Sequence, residues 1–583
     1  MDRKVKTIPY GVSDFADMRR RNGYYVDNTW GIPLLEQLPY QLFLRPRRFG
    51  KSLLLSILHY YYDINTASRF DELFEGTWIH EHPTEDRGRF LVMHFDFSAV
   101  EGENLEDIQN RFERYRKNVL DGFVRNYKTY LPEGTTELVT GKEWFSDGLD
   151  VLMDKLSYSD KKIFILVDEY DNFSNRLLAQ AGDEAYQKLC HGDGFFKSFF
   201  ALLKAENRVV TNIFLTGVSP MTLDDVTSGF NIAENISQDS TLVTLCGFTR
   251  DDIRNALDYY ADAGRFNLDK EKAFKLVTEW YDNYRFSINN DAHVCNPILL
   301  LGFLRKCMVE GVFPSSMIEE NLRTDYHKLQ HIVTTNGKLN GKFHALETLV
   351  ADGSVATDFV RSFQAVALKK PESFLSLLFY YGMVTIGGRS RGKVILTIPN
   401  QLMNRFIADF LLNGYKDCCK VDPRISSLAE LLGNFAYDGD WRPVFDQASQ
   451  VLKETLCSRD LMDGEKAIQA GLASLLSSGS TFHVYTEHRA GFGFADLSLA
   501  PRLLSFPDIA FAALIEVKYI KKSDAVTDAA KATLLAEAKA QLEQYATDHR
   551  LAEEWRLKPN GTVTLIRLAV VFHGEDILFA EEI

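Results

Sequence analysis

The chain has 583 residues, too many for one compact core, and domains of about 100–200 residues would give three or four units. Its 45% hydrophobic and 25% charged residues are typical of a folded protein and exclude a disordered chain. With 80 acidic against 66 basic residues the net charge is −14, so non-specific adhesion of the whole molecule to nucleic acid or anionic membrane is not expected.

The cysteines and the N-terminus bear on the compartment. Seven cysteines form no C-x-x-C pair and no zinc-binding spacing, and their odd number argues against a disulfide framework. The segment Met1–Tyr10 has no apolar core of a signal peptide, and no apolar stretch approaches the ~20 residues that span a bilayer. These features predict a cytoplasmic protein without a membrane partner.

The N-terminal part alternates short apolar runs with amphipathic helices. This rhythm predicts a parallel sheet flanked by helices, and therefore an α/β fold. The four runs that we interpret as buried strands are Tyr40–Leu44, Phe90–Phe95, Ile163–Val167 and Val209–Thr216.

The middle part is helical from about Asp251. It contains two alternating runs, Met383–Ile386 and Val394–Ile398, joined by a glycine- and arginine-rich turn. A hairpin after helices resembles the wing of a winged-helix module, and Arg389, Arg391 and Lys393 at its tip could contact a DNA backbone. An ordinary solvated turn is the alternative.

The C-terminal part is predicted to be a second, smaller α/β domain. A helical stretch from about Ser427 to Leu476 is followed by strands, one helix and a last strand. These elements are Phe482–Glu487, Asp496–Ala500, Ala512–Lys518, Ala529–Asp548 and Thr562–Phe572. We therefore divide the chain at residues 1–250, 251–426 and 427–583.

A phosphate-binding loop is predicted after the first strand. Arg48-Phe49-Gly50-Lys51-Ser52 leads directly into a helical run. In a P-loop, backbone N–H groups and the helix N-terminus hold phosphate, the lysine reaches the β- and γ-phosphates, and the serine helps to hold Mg²⁺. Arg45 stands where the G-x-x-x-x-G-K-[ST] pattern has its first glycine, so a basic helix start is the alternative.

A second segment supports nucleotide binding. The strand Ile163–Val167 ends in Asp168-Glu169, the form of a Walker B segment, in which the aspartate serves Mg²⁺ and the glutamate activates water. Thr216 ends a further buried strand, where an AAA-type ATPase places a polar sensor of the γ-phosphate. The alternative for Asp168 and Glu169 is helix capping at a strand-to-helix turn.

The C-terminal part carries a carboxylate–lysine pattern. Asp496 lies in one predicted strand, and Glu516 and Lys518 lie two apart on one face of the next. Two carboxylates can bind Mg²⁺, which polarises a phosphate and lowers the pKa of a bound water, while Lys518 orients that water. A chance Glu-x-Lys on an exposed strand is the alternative.

Several motifs together resemble the bacterial AAA-ATPase-like family, in which an ATPase domain is fused to a C-terminal PD-(D/E)XK nuclease-like domain. Arginine is usual at position 45 in that family, whereas Asn28 replaces its usual lysine and Phe494 a usual arginine. The segments that carry the resemblance are 24–27, 44–52, 167–171, 216–220, 280–286, 296–297 and 486–491.

The resemblance implies further site residues. Glu465 lies on the helix where PD-(D/E)XK enzymes often keep an acid, and Gln541 and Tyr545 match the Q-x-x-x-Y motif of RecB-type nucleases. We expect an ATPase that uses ATP and Mg²⁺ and controls a nuclease domain acting on DNA more readily than on RNA, with homo-oligomers possible. The alternative is a nucleotide-dependent switch or interaction protein whose nuclease fold is inactive and only binds nucleic acid or a partner.

Overall fold

The computed structural model describes residues 5–100, 102, 104–172, 195–220, 233–318, 334–335, 338–339, 341–363, 367–368, 370–456, 464–490 and 493–583. Within these ranges the chain is a multidomain α/β protein, as expected. No helix of the described ranges combines the length and the apolar character needed to cross a bilayer.

The first region is built on a five-stranded parallel sheet of order β2-β3-β4-β1-β5. Its strands have mostly buried residues because helices cover the sheet, which is why they are apolar along their length and do not alternate. The four predicted strands are confirmed to within a residue or two at each end. The strands are β1 Tyr40–Leu44, β2 Phe90–Asp96, β3 Lys162–Asp168, β4 Val210–Gly217 and β5 Glu234–Asn235.

Nine helices accompany this sheet within the described residues. The third starts at a glycine with a positive φ and carries the phosphate loop described below. The helices are α1 Phe15–Arg20, α2 Ile32–Leu35, α3 Lys51–Tyr62, α4 Phe70–Phe74, α5 Trp78–Glu81, α6 Leu105–Asn126, α7 Thr135–Thr140, α8 Phe145–Ser157 and α9 Phe195–Ala205.

The middle region begins with three helices that follow the sheet. The first starts with a capping box, in which the Thr249 and Asp252 side chains satisfy backbone N–H groups reciprocally. The third is capped by Asn296 and has Pro297 in its first turn. The helices are α10 Arg250–Asp262, α11 Lys270–Tyr281 and α12 Pro297–Glu310.

A winged-helix-like unit follows, with a three-stranded sheet of order β8-β10-β9. The predicted hairpin is present, and its first strand lies nearer the turn than expected. Strand β8 had no signal in the sequence that we recognised. The elements are β6 Thr334–Thr335, β7 Lys338–Leu339, α13 Gly341–Asp352, β8 Ser354–Thr357, α14 Pro371–Tyr380, β9 Thr385–Ser390, β10 Lys393–Thr397 and α15 Gln401–Cys419.

Helix α14 is buried, although it precedes the wing as a DNA-reading helix does. Every residue from Ser373 to Tyr380 is buried, because the sequence is apolar on all sides of the helix. The Phe379 ring packs on Phe286 of the segment after α11, with centroids 6.1 Å apart. This helix therefore serves packing between regions and cannot enter a DNA groove in this arrangement.

The third region has a mixed sheet of order β11-β12-β13-β14-β15, in which β13 and β14 are parallel and the other pairs antiparallel. The predicted helices and strands are present, and β15 is an additional edge strand. The elements are α16 Ile425–Asp438, α17 Arg442–Leu456, α18 Glu465–Leu476, β11 Phe482–Ala490, β12 Gly493–Pro501, β13 Phe511–Ile520, α19 Asp528–Tyr545, α20 His549–Glu554, β14 Thr564–His573 and β15 Asp576–Glu582.

Helix α18 joins the second and third regions. All its residues from Ala467 to Leu476 are buried, and it packs against α13 and α15 as well as against the sheet of its own region. One hydrophobic cluster runs through all three regions, from Phe15 to Phe572. A smaller cluster lies under α19 on the other face of the third sheet.

Candidate active sites

The loop between β1 and α3 has the backbone of an anion-binding turn. Arg48 and Gly50 have φ values of 69° and 94°, so successive N–H groups can turn toward one side. Gly50 precedes the first residue of α3, where free N–H groups and the helix dipole favour a negative ligand. The Ser52 hydroxyl group lies in the first turn and is exposed.

Lys51 is held by the loop itself. Its Nζ donates to the carbonyl oxygens of Arg45 at 3.0 Å and Pro46 at 3.1 Å. Burial lowers the pKa of Lys51, while the negative charges of Asp168 and Glu169 act in the opposite direction. A phosphate group is a stronger acceptor than two carbonyls, so Lys51 is placed to exchange these bonds for a ligand.

The ends of β3 and β4 bring the acidic pair and Thr216 together. Thr216 donates its hydroxyl hydrogen to Asp168 Oδ1 at 2.6 Å, and the Glu169 N–H donates to the same oxygen at 2.9 Å. Glu169 has a φ of 49°, and burial raises the pKa of its carboxyl group. A less acidic carboxylate close to Lys51 suits a group that accepts a proton from water.

Asp171 and Gly217 fix this junction, a role that the sequence alone did not show. Asp171 accepts backbone hydrogen bonds from Val218 at 3.1 Å and Ser219 at 2.8 Å. A Cβ on Gly217 would lie 2.5 Å from Asp171 Oδ1, so only glycine fits between the strand ends. The Thr216–Gly217 step is therefore held against the Asp168–Asp171 turn.

Arg45 anchors the loop from beneath. Its guanidinium group donates to the carbonyl oxygens of Leu44, Ser237, Leu242 and Val243 at 2.7 to 3.4 Å. Its Cζ lies 4.3 Å and 4.2 Å from the ring centroids of Phe43 and Phe286. Burial lowers the pKa of Arg45 to about 10. Its side chain points away from the phosphate site and acts as a structural anchor.

A cavity of about 550 Å³ lies over the loop. Its charged lining residues are Arg47, Arg48, Lys51 and Glu169, so positive charge predominates. The rest of the lining is largely apolar and comes from segments that the sequence did not indicate as part of the site. These lining residues include Tyr24, Tyr25, Val26, Ile32, Leu245, Cys246, Phe248, Pro297, Ile298 and Leu301, with Asn28 beside them. A polar end and an apolar end suit a nucleotide.

The middle region packs directly on the loop. The Phe49 ring meets Tyr284 and Phe286 edge-on, at centroid distances of 5.0 and 5.5 Å. Asn296 donates from Nδ2 to the carbonyl oxygen of Arg47 at 3.3 Å, and a Cβ on Gly382 would lie 2.8 Å from Pro46. The loop is thus enclosed by the 284–296 segment and the start of the winged-helix-like unit.

Arg285 does not reach the cavity. Its guanidinium group donates to the carbonyl oxygens of Ser287, Ile288 and Asn290 at 2.9 to 3.0 Å and pairs with Asp291 at 2.6 Å. It organises its own loop. The tip of the wing is different, since Arg389, Arg391 and Lys393 are all exposed, and Lys393 pairs with Asp358 at 3.5 Å.

The third region brings Asp496, Glu516 and Lys518 together at the junction of β12 and β13. Asp496 Oδ2 accepts a hydrogen bond from the Val517 N–H at 2.8 Å. Lys518 Nζ donates to Glu516 Oε2 at 3.0 Å, and Glu516 Oε1 is buried without a hydrogen-bond partner. Such an orphaned carboxylate oxygen is costly unless a donor or a cation meets it.

The acidic groups around this junction disfavour one another's charge. Burial, followed by the charge of Asp496, raises the pKa of Glu516 to about 7. Burial also raises the pKa of Asp496, and burial together with the Asp496 charge raises the pKa values of Glu465 and Glu487. Four carboxyl groups therefore share one negative field, which a cation would relieve.

Tyr545 and Gln541 lie on the α19 face of the cluster. Tyr545 is buried, and burial, followed by the charge of Glu516, raises the pKa of Tyr545 to about 12, while Gln541 acts in the opposite direction. A Cβ on Gly493 would lie 2.6 Å from the Tyr545 ring, so the strand and the helix meet closely there. Phe494, two residues before Asp496, is 54% exposed.

The donor set fits Mg²⁺ better than a transition metal. Among the described residues, no three His, Cys, Asp or Glu side chains lie together as a complete metal site. Mg²⁺ is commonly held by one or two carboxylates with water and phosphate oxygens completing its shell. Asp496 and the orphaned Oε1 of Glu516 meet that requirement. Ser52 and Asp168 offer the oxygen donors that Mg²⁺ uses beside a nucleotide.

Family models match both ends of the chain. Residues 9–227 match the model described as Predicted AAA-ATPase, and residues 463–582 match that of the PD-(D/E)XK nuclease superfamily. The matches contain the phosphate loop and Asp168 in one case, and Asp496 and Glu516 in the other. They confirm the expected combination of an ATPase-like region with a C-terminal nuclease-superfamily region.

One curated relative is the "Uncharacterized protein in vnfD 5′region" of Azotobacter chroococcum mcd 1, 27% identical over 305 residues, which are 52% of each chain. The chain thus spans about half the length of the curated relative that it matches.

Similar solved structures include three archaeal proteins. A Walker-type ATPase of Pyrococcus abyssi is 14% identical, with 70% of this chain and 99% of that chain covered and a TM-score of 0.36. Cdc6p of Pyrobaculum aerophilum is 11% identical, with 66% of this chain and 92% of that chain covered and a TM-score of 0.24. Orc1 of Aeropyrum pernix in complex with DNA is 12% identical, with 72% of this chain and 96% of that chain covered and a TM-score of 0.26. Identities and TM-scores this low carry no argument about the function of this chain.

Proposed function

We propose that the chain is a Mg²⁺-dependent ATPase coupled to a metal-dependent phosphodiesterase that acts on DNA in preference to RNA. The observation that carries the proposal is the pairing of two separate charge clusters, each with the residue types of its reaction. One is the Lys51–Asp168–Glu169–Thr216 cluster, of which Lys51 and Glu169 line the cavity, and the other is the Asp496–Glu516–Lys518 cluster. A cytoplasmic location and homo-oligomers belong to the same proposal.

In the first site, binding rests on charge and backbone. Gly50 and the start of α3 would hold phosphate oxygens, and Lys51 would leave its two carbonyl acceptors for the terminal phosphates. Glu169 would accept the proton of the attacking water, and Thr216 holds Asp168 in position. Mg²⁺ beside Ser52 and Asp168 would neutralise the charge that develops on the phosphates.

In the second site, Asp496 and Glu516 would hold Mg²⁺, which would supply a Lewis acid and an activated water. The Val517 N–H fixes one Asp496 oxygen and leaves the other for a ligand. Lys518 holds Glu516 and could turn from it toward the scissile phosphate or its attacking water. The raised pKa of Glu516 makes proton loss part of cation binding there.

A switch or interaction protein without nuclease activity is the second candidate. Two observations favour it: Lys518 is already paired with Glu516, and the described residues contain no complete three-residue metal site. In that case the third region would bind nucleic acid or a partner without cutting.

Cleavage of plasmid DNA and of single-stranded DNA and RNA oligonucleotides, with and without Mg²⁺ and ATP, separates these candidates. We expect DNA cleavage that requires Mg²⁺ and responds to ATP. ATP hydrolysis without cleavage of any substrate under any condition would establish the switch alternative instead.

A further inference from the structure

A second cavity, of about 230 Å³, lies between the middle region and the nuclease-like region. Trp280 at the end of α11 and Arg405 on α15 line it from one side. Ser478 in the turn before β11, His483 on β11 and Arg502 after β12 line it from the other. It is separate from both candidate active sites.

Arg405 Nε, a buried donor of this lining, lies 3.6 Å from Asp409. Trp280 Nε1, Arg502 Nε and Ser478 Oγ are buried and have no hydrogen-bond partner. The parent residues are only 5%, 7% and 5% exposed. Trp280 Nε1 and Arg502 Nε can only donate a hydrogen bond, and the Ser478 hydroxyl group can donate as well as accept. A hydrogen-bond acceptor would therefore satisfy all three atoms. Leaving such buried donors unpaired is costly, and native proteins rarely do so.

The charged residues that line the cavity also favour a negatively charged ligand. Within the described part of the chain no acidic residue lines it and Arg502 forms no ion pair. Arg502 donates to the Ser480 carbonyl oxygen at 2.5 Å and lies over the Trp280 ring, with its Cζ 4.8 Å from the centroid. Neither contact supplies a negative charge. Burial, followed by the charge of Arg405, lowers the pKa of Arg502 to about 10.

Two acidic residues, Asp409 and Glu279, lie near the cavity without lining it. Asp409 lies 3.6 Å from Arg405 Nε. Glu279 lies 3.8 Å from His483 and lines a neighbouring cavity of about 100 Å³ together with Lys275 and Arg502, and its negative charge acts on Arg502 against the effect of burial. Burial lowers the pKa of His483 to about 3, so its ring is neutral and adds no further charge. Water could satisfy the three donors, whereas an anion would in addition balance the positive charges of Arg405 and Arg502, which both line the cavity.

We propose that this cavity binds a small oxyanion of the phosphate class, held by Arg502 with the Trp280 and Ser478 donors. The ligand would connect α11 to the turn before β11, and so add to the hydrogen bonds that Arg405 already donates to the carbonyl oxygens of Ser478 and Gly479. A free phosphate ion and the terminal phosphate of a nucleic-acid strand present the same oxygen acceptors. They differ because the terminal phosphate brings an attached nucleotide chain, which the cavity must also admit.

The test uses the full chain carrying Lys51→Ala, so that the phosphate loop does not contribute. Inorganic phosphate is titrated against chloride at equal ionic strength, with thermal unfolding and tryptophan fluorescence as readouts. A second arm uses a 5′-phosphorylated dinucleotide. We expect a saturable rise in melting temperature with phosphate; a response to the dinucleotide alone would identify a strand terminus as the source.

Added variants locate the ligand. Arg502→Gln should weaken phosphate binding about 100-fold, and Trp280→Phe, which removes only the N–H donor, about tenfold and with loss of the fluorescence change. Lys275→Gln, next to the cavity but not lining it, is the matched control and should bind normally. If Arg502→Gln does not fold, the phosphate affinities of Trp280→Phe and Ser478→Ala test the proposal in its place. No saturable response to either probe, or equal responses in the parent and Trp280→Phe, would overturn the proposal.

Discussion

The two candidate active sites each combine carboxylates with a lysine, but their charge balance is opposite. Over the phosphate loop, three cationic side chains and Glu169 line the cavity, and Lys51 is satisfied by neutral carbonyl oxygens. At the nuclease-like site, four carboxyl groups share one field and Lys518 is bonded to one of them. The first site has an excess of positive charge and the second an excess of negative charge, so the same residue types indicate an anion in one place and a cation in the other.

The largest effect should come from the first site. Lys51→Ala should abolish ATP binding, because it deletes the charge that meets the phosphates. Glu169→Gln should bind ATP normally and hydrolyse it at least about 100-fold more slowly, because an amide cannot accept the proton. Fluorescent-nucleotide binding and phosphate release measure the two steps. Unchanged turnover in both variants would contradict the ATPase proposal.

At the second site, Asp496→Asn and Lys518→Ala should each eliminate nucleic-acid cleavage while ATP hydrolysis stays close to wild type. Asp496→Asn should also weaken Mg²⁺ or Mn²⁺ binding, whereas Lys518→Ala should reduce turnover more than affinity, because Lys518 does not ligate the metal. Isothermal titration beside a cleavage assay measures both. Lys466→Ala, an exposed lysine in the first turn of α18, is a control. Equal metal affinity in wild type and Asp496→Asn would count against the site.

The boundary at residue 427 remains a prediction. A fragment 427–583 should fold, but it leaves bare the face of α18 that packs on α13 and α15. A fragment 341–583 retains those helices and should be more stable by ~3 kcal/mol or more. Urea unfolding of the two fragments measures the difference. Aggregation of the shorter fragment alone would show that α18 shares its core with the middle region.

The titration of Glu516 should have a smaller effect, on the pH dependence of folding stability, and its direction can be predicted. Its pKa rises from the ordinary value of 4.5 to about 7 on folding, so the folded state binds the proton more tightly. Stability should therefore be greatest below about pH 4.5 and fall as the pH rises to about 7.

Glu516→Gln removes this loss. It should be more stable than wild type at pH 8 by up to about 3 kcal/mol, with little difference at pH 4.5. Mg²⁺ should stabilise wild type at pH 8 and leave Glu516→Gln unchanged. Denaturant melts at the two pH values test this expectation, and a pH-independent difference would contradict it.

The smallest change is Thr216→Val, which removes the 2.6 Å hydrogen bond to Asp168 and conserves the shape of a fully buried side chain. We expect hydrolysis to slow about tenfold at unchanged ATP affinity, since one hydrogen bond to a charged group is lost. Single-turnover hydrolysis measures the step. A change in affinity without a change in rate would place Thr216 in binding.

The sequence predicted the strands that are apolar throughout and the polar residues that end them, because buried parallel strands and their carboxyl ends leave a local pattern. It did not predict β8 or the edge strand β15, whose residues are only partly buried. Nor did it predict the apolar wall of the nucleotide cavity around Leu245 and Leu301, which forms only when distant segments fold together. The excess of negative charge at the second site arises because Glu465 on α18 and Glu487 on β11 come close to Asp496 on β12 in the folded chain.

The buried position of Arg45 has a consequence for how phosphate loops are recognised in sequences. The first glycine of the common pattern is replaced by a large cation whose side chain turns into the core, sandwiched between Phe43 and Phe286. The backbone path beside the phosphates depends on Arg48 and Gly50, which lie after it. A search that demands glycine at both ends of the loop rejects this chain, whereas one that weights Gly50-Lys51-Ser52 and a downstream strand ending in Asp168-Glu169 retains it.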